Sequence, residues 1–187
     1  MDAGLLYQVL GILSFGVALA LRLALAAVDA ARHLAAAGER QPTPPIGEVI
    51  PAAAARALAG RARKDLASLR MPAVLLFLSS TCPKCRQKLP EIESYLPRLD
   101  EAGLELWLVS REPGWRLRRF LRGSALLRHA LRVNMRDYRS LNPTMGSPFY
   151  LFIDEAGRLQ AGGTIGDENW LAFREQMLDL GAAREAA

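Results

Sequence analysis

The pattern of apolar and polar positions divides the chain into three stretches. Leu5 to Val28 is an apolar run of 24 residues with one charge, Arg22. As a helix it would be roughly 36 Å long, enough to cross a hydrocarbon core of about 30 Å. Arg22 lies near one end, where a long side chain reaches the headgroups. The pattern predicts a membrane anchor, with residues 1–40 forming a transmembrane helix and its helical extension. The rival is a cleaved signal peptide. The opening "MDAG" lacks a basic n-region and the run exceeds a usual h-region, although "LAAAG" at 34–38 offers small residues for cleavage.

Residues 41–70 read differently. "QPTPPIGEVIP" carries four prolines, which fix φ and remove backbone donors, so a stiff linker is predicted. "AAAARALAGRARKDLASL", residues 52–69, favours helix by propensity.

From residue 71 to 187 the periods alternate. Ala73–Ser79 is a continuous apolar run of strand length, suited to a strand buried on both faces. Residues 83–103 place Leu89, Ile92, Leu96 and Leu99 at helical spacing, with Pro90 expected to kink the helix and Gly103 to stop it. Residues 104–110 alternate as a strand. Residues 114–131 predict a basic helix or a pair broken at Gly123, and 135–148 a short helix with loop. Residues 148–154 and 158–166 predict two strands joined by the "DEAG" turn. The last helix follows, with Asp167 as its cap. The order β-α-β-α-β-β-α implies one α/β domain with a mixed central sheet and helices on both faces.

Composition adds little to this frame. The chain is 51% hydrophobic and 23% charged, with a formal net charge of +5. The arginines carry no nucleic-acid signature, so no nucleic-acid partner is expected. The arginines at 116, 118, 119, 122 and 128 read as a solvated helix face with Trp115 packing inward.

The chemistry lies in the only two cysteines, Cys82 and Cys85, separated by Pro83 and Lys84. A structural zinc site needs four ligands, and only His33 and His129 could join the cysteines. A c-type haem tether needs histidine where Arg86 stands. A structural disulfide across so small a loop gains little chain entropy. A redox dithiol fits the local mechanics better. Cys82 falls where a buried strand meets a helix, and unpaired N–H groups and the helix dipole there favour an anion. Such a seat lowers a thiol pKa from about 8.5, and the thiolate is the nucleophile. Lys84 adds a nearby positive charge, and Pro83 suits the first helical position. Cys85, one turn on, can resolve a mixed disulfide. No bound cofactor and no metal is expected.

Three features in order, strand–"TCPKC"–helix, Pro90 five residues after the second cysteine, and "GSPFYLFIDEAG", resemble the thioredoxin superfamily over about residues 71 to 181. Within it, the anchor, "STCPKC" and "SPFYLFIDEAGRLQAGGTI" resemble the MauD family of membrane-anchored thioredoxin-like proteins of methylamine utilisation. The resemblance implies a thioredoxin-like fold with a cis proline at Pro148. Ser147 and Pro148 would shape the client groove, flanked by Thr81 and Pro83. It also implies thiol–disulfide exchange with an extracytoplasmic protein client that has cysteines or disulfides, such as a methylamine dehydrogenase under maturation, and a membrane or periplasmic partner that recycles the dithiol. The domain would then stand in the periplasm, on a bacterial inner membrane spanned once by residues 5–28. Asp2 before that run and Arg22, Arg32 and Arg40 after it argue the opposite orientation. Leu76 stands where reducing thioredoxins bury an aspartate six residues before the first cysteine, so Cys85 needs another base or water. The alternatives are a thiol peroxidase using Thr81 and Arg86, and a non-catalytic adapter or holdase.

Overall fold

The computed structural model describes residues 44–60 and 62–185, together with helical backbone at 20–22, 24 and 28. The predicted anchor at 5–28 falls mostly outside the described residues. Among those that are described, no helix is long and apolar enough to cross a membrane.

The described residues from Pro44 onward belong to one compact unit. Its centre is a strand that can have no wet face. Every residue of β3 (Ala73–Phe77) is buried. Val74, Leu76 and Leu78 enter one core while Ala73, Leu75 and Phe77 enter the other, the side-to-side alternation of an extended chain. β3 pairs in parallel with β4 (Glu105–Ser110) and antiparallel with β6 (Phe149–Ile153). β7 (Leu159–Thr164) closes that side, and β5 (Ala130–Arg132), β1 (Ala54–Ala57) and β2 (Arg63–Asp65) extend the other. The seven strands run β2-β1-β5-β4-β3-β6-β7.

Helix α1 (Pro83–Glu101) buries Cys85, Leu89, Ile92, Tyr95 and Leu99, a stripe at the helical period. The helix is continuous through Pro90 and Pro97, and both prolines lie on its exposed side. Gly103 ends it at φ +67°, while the Leu104 amide donates to Leu99 O at 2.8 Å. Helices α2 (Gly114–Phe120) and α3 (Met135–Leu141) follow, and the chain ends on α4 (Glu168–Glu185). Trp170, Phe173 and Met177 of α4 join α1 over the Val74–Leu76–Leu78 face. Tyr138 and Leu141 of α3 cover the Leu75–Phe77 face. The predicted mixed sheet with helices on both faces is therefore present.

One local expectation fails. The alanine-rich stretch 52–69 is not a helix. It forms β1, a turn, β2 and a 3-10 turn at Leu66–Ser68, because pairing outweighs alanine's small helical preference. Ala57 pairs with Leu131 and Ala55 with Lys64, and Ala55 is buried. Asp65 Oδ1 accepts from the amides of Ala53 and Ala67, fastening both ends of the hairpin. Over 114–131 the expected pair broken at Gly123 is nearer the structure than one helix: the first member stops at Phe120. Gly123 turns at φ +79°, Ser124 caps a 3-10 turn over Ala125–His129, and Ala130–Arg132 becomes the strand between β4 and β1.

Candidate active site

The site forms at the carboxyl end of β3, where the chain must leave the sheet before α1 begins. Ser79, Ser80 and Thr81 make the crossing. Ser79 Oγ and Thr81 Oγ1 are 2.9 Å apart, and the Cys82 amide donates to Ser79 O at 3.2 Å. Cys82 is the N-cap of α1. Its backbone is extended (φ −90°, ψ 114°), and its Sγ accepts from the Cys85 amide at 3.3 Å, the place an Asp or Ser oxygen usually fills. Pro83 follows at the first helical position, where its missing donor costs nothing.

The two thiols sit in different media. Cys82 is half-buried and Cys85 is 0% exposed. Partial burial pushes the Cys82 thiol up, but hydrogen bonds from the Cys85 thiol and amide, the Ser147 side chain and the Lys84 amide outweigh it, so the net shift is downward. For Cys85 burial again acts first and upward. The neighbouring Cys82 sulfur pushes the same way, and the result is about 11, despite the Ser79 amide at 3.5 Å. The pair is thus split into a thiol that ionises readily and one that holds its proton.

Across from Cys82 lies the loop before β6. The Ser147–Pro148 peptide is cis, as the resemblance implied. The Cys82 thiol donates to Ser147 O at 3.6 Å, and Pro148 is buried. Cys82, Cys85, Ser147 and Pro148 thus converge, while Thr81 and Pro83 flank them and are exposed. Lys84 is placed differently from the expectation. Its side chain is exposed, and its backbone amide helps to lower the Cys82 thiol. Trp115 is also corrected. It is 64% exposed under the Arg116 guanidinium, 5.3 Å from its ring, and does not pack inward. Arg86, offered for peroxide chemistry, lies over the Phe120 ring at 5.6 Å.

Two further residues shape this end of the sheet and were not singled out from the sequence. Asn142 is 0% exposed; its Nδ2 donates to Gly146 O at 2.8 Å and its Oδ1 pairs with Thr144 Oγ1 at 3.1 Å. This clasp holds the loop in which Met145 takes a left-handed φ of 57°. Asn-Pro-Thr is turn chemistry, and that signal was present in "LNPTMG". Glu112, just beyond β4, accepts the Ser80 amide at 2.8 Å and the Ser79 hydroxyl at 3.0 Å on Oε1. No sequence pattern ties residue 112 to residue 79. Only the parallel pairing of β3 and β4 does.

The sheet order, the dithiol at the start of α1 and the facing cis proline define a thioredoxin-like fold. The solved structures it resembles agree. The thioredoxin domain of a thiol-disulfide oxidoreductase from Bacteroides vulgatus matches with a TM-score of 0.60 at 16% identity, over 72% of this chain and 99% of that one. A thiol:disulfide interchange protein of the thioredoxin family from Chlorobium tepidum TLS matches at 0.57 and 15%, over 74% and 99%. A peroxiredoxin-like protein from Aquifex aeolicus matches at 0.55 and 15%, over 74% and 89%. No family model and no curated protein sequence matches the chain.

Proposed function

We propose that this protein is a thiol–disulfide oxidoreductase acting on a protein client. The observation that carries the reading is the division of labour between the two thiols. A half-buried Cys82 with lowered pKa faces a cis-proline loop, and a buried Cys85 with raised pKa stands one turn behind. Cys82 thiolate attacks a client disulfide, or a client thiolate attacks the oxidised pair. Cys85 then displaces the client from the mixed disulfide. Buried Cys85 is protected from competing electrophiles, so resolution is intramolecular. The names of the similar structures support exchange over peroxide reduction, because several are thiol:disulfide interchange proteins or thiol-disulfide oxidoreductases.

The finer reading joins the sequence to this chemistry. Residues 5–28 anchor the chain in a bacterial inner membrane, and the dithiol domain works in the periplasm. The client is a disulfide-bearing enzyme under maturation, with methylamine dehydrogenase as the example that the MauD resemblance supplies. A second redox protein recycles the pair.

Equilibration of the full chain with glutathione mixtures tests the exchange reading. Cys82 and Cys85 should interconvert reversibly between dithiol and disulfide, and a Cys85→Ser variant should accumulate a Cys82-linked mixed disulfide with its client. A pair that does not respond to glutathione, or peroxide consumption faster than disulfide exchange, would overturn it. A C-terminal reporter active only outside the cytoplasm tests location, and a silent reporter removes the periplasmic assignment.

A further inference from the structure

Resolution requires a deprotonated Cys85, yet β3 beneath it offers only apolar side chains, Ala73 to Phe77. A carboxylate reaches this end of the sheet from just beyond the neighbouring strand β4. Glu112 Oε1 is held by the Ser80 amide and the Ser79 hydroxyl, while Oε2 is buried without a hydrogen-bond partner. Ser79 links the two groups, for its amide lies on Cys85 Sγ and its hydroxyl on Glu112. Tyr138, in α3, lies within electrostatic reach of both groups. Its phenol is pushed up to about 12 by burial first, and both Cys85 and Glu112 add to the rise while Arg111 opposes it. The charged and titratable groups facing Glu112 are therefore Arg111 beside it, Arg132 of β5, whose Nε donates to Glu112 O at 2.9 Å, Tyr138 of α3, and Cys85 of α1.

We propose that Glu112, positioned by Ser79, receives the Cys85 proton during resolution. This deepens the exchange reading and rests on it. The Cys85 thiol proton passes to the Glu112 carboxylate, whose Oε2 has no other hydrogen-bond partner. The freed sulfur lone pair forms the Cys85–Cys82 bond. The Cys82–client sulfur bond breaks, and its electron pair leaves on the client thiolate. The client is reduced and the dithiol oxidised, with no further reagent. Glu112 then returns the proton to the client thiolate or to water.

The test uses the full chain with Cys82 joined to 2-nitro-5-thiobenzoate, whose coloured release measures Cys85 attack directly. Glu112→Gln keeps an oxygen for the Ser79 and Ser80 contacts but cannot take a proton. Release at pH 7 should slow by about tenfold or more, and its rate should then climb about tenfold per pH unit with hydroxide. Alkylation of Cys82 in the same variant should stay within about twofold of wild type. Ser79→Ala should slow release similarly, and Glu112→Asp should recover part of the rate. Unchanged release in Glu112→Gln, or an equal loss of release and Cys82 alkylation, would overturn the role of Glu112 while leaving exchange intact. Wild-type protein that released no thiobenzoate would overturn both readings.

Discussion

The amide of Cys85 donates to the sulfur of Cys82 at 3.3 Å, so the side chain of Cys82 caps the helix through the backbone of Cys85. A thiolate is a better acceptor than a thiol, and the contact therefore strengthens as Cys82 ionises. The same bond holds the two residues one turn apart. Geometry and acidity come from a single feature of the first helical turn.

The first prediction is kinetic. Cys82 should alkylate with iodoacetamide along a pH profile whose midpoint lies below that of free cysteine, and Cys85 should react only as the pH approaches about 11. Mass spectrometry of the separately labelled thiols measures both. A Cys82 midpoint at or above the free value would remove the kinetic asymmetry.

Charge on Lys84 should matter little. The ammonium is exposed, and the contact with Cys82 runs through the amide. Lys84→Ala should leave the Cys82 profile in place, whereas Lys84→Pro, which deletes the donor, should move it upward. Comparing the two alkylation profiles decides which group tunes the sulfur.

Stability of the reduced protein should depend on pH through Cys85. Its folded pKa is raised, so the unfolded chain ionises first and folding holds the extra proton. That contribution is complete below the ordinary thiol value and is lost as the pH climbs toward about 11. Urea midpoints of reduced protein should therefore fall over that window, and those of the Cys82–Cys85 disulfide form should fall less.

Asn142→Ala should cost about 1–3 kcal/mol, because it leaves the Gly146 carbonyl without its buried partner. Urea unfolding gives the size. The Cys82 alkylation profile in the same variant should move slightly upward, since the clasp holds the loop whose Ser147 helps to lower the Cys82 thiol.

Asp167 binds two groups at once. Oδ1 accepts the Trp170 amide at 2.9 Å as the cap of α4 and the Tyr150 hydroxyl at 2.7 Å. A Cβ at Gly163 would overlap this carboxylate, which explains a glycine within β7. Asp167→Ala should cost about 2 kcal/mol. The loss should shrink when Tyr150 is already Phe, a coupling that a double-mutant cycle reads.

Much of the framework was legible without coordinates. The unbroken apolar run of Ala73–Phe77 needs burial on both faces, and the spacing of Leu89, Ile92 and Leu99 needs one helical face against a sheet. Cys82 and Cys85 announce themselves because a strand end, a proline and a helix start follow one another in the chain. Each of these signals is local, so its period or order survives in one dimension.

The alanines of β1 carried no such signal. Their helical preference is a few tenths of a kcal/mol per residue, and the hydrogen bonds of a sheet edge some 75 residues distant, Ala57 against Leu131, decided the outcome. The sequence by itself determined the dithiol, its seat at a helix start and the layered α/β order, because those follow from neighbouring residues. Tertiary structure alone decided that Ser147 faces Cys82 and that Glu112 reaches Ser79. Those contacts are made by strands pairing across long loops, and the distance between residues 79 and 112 is set by the sheet and not by the chain.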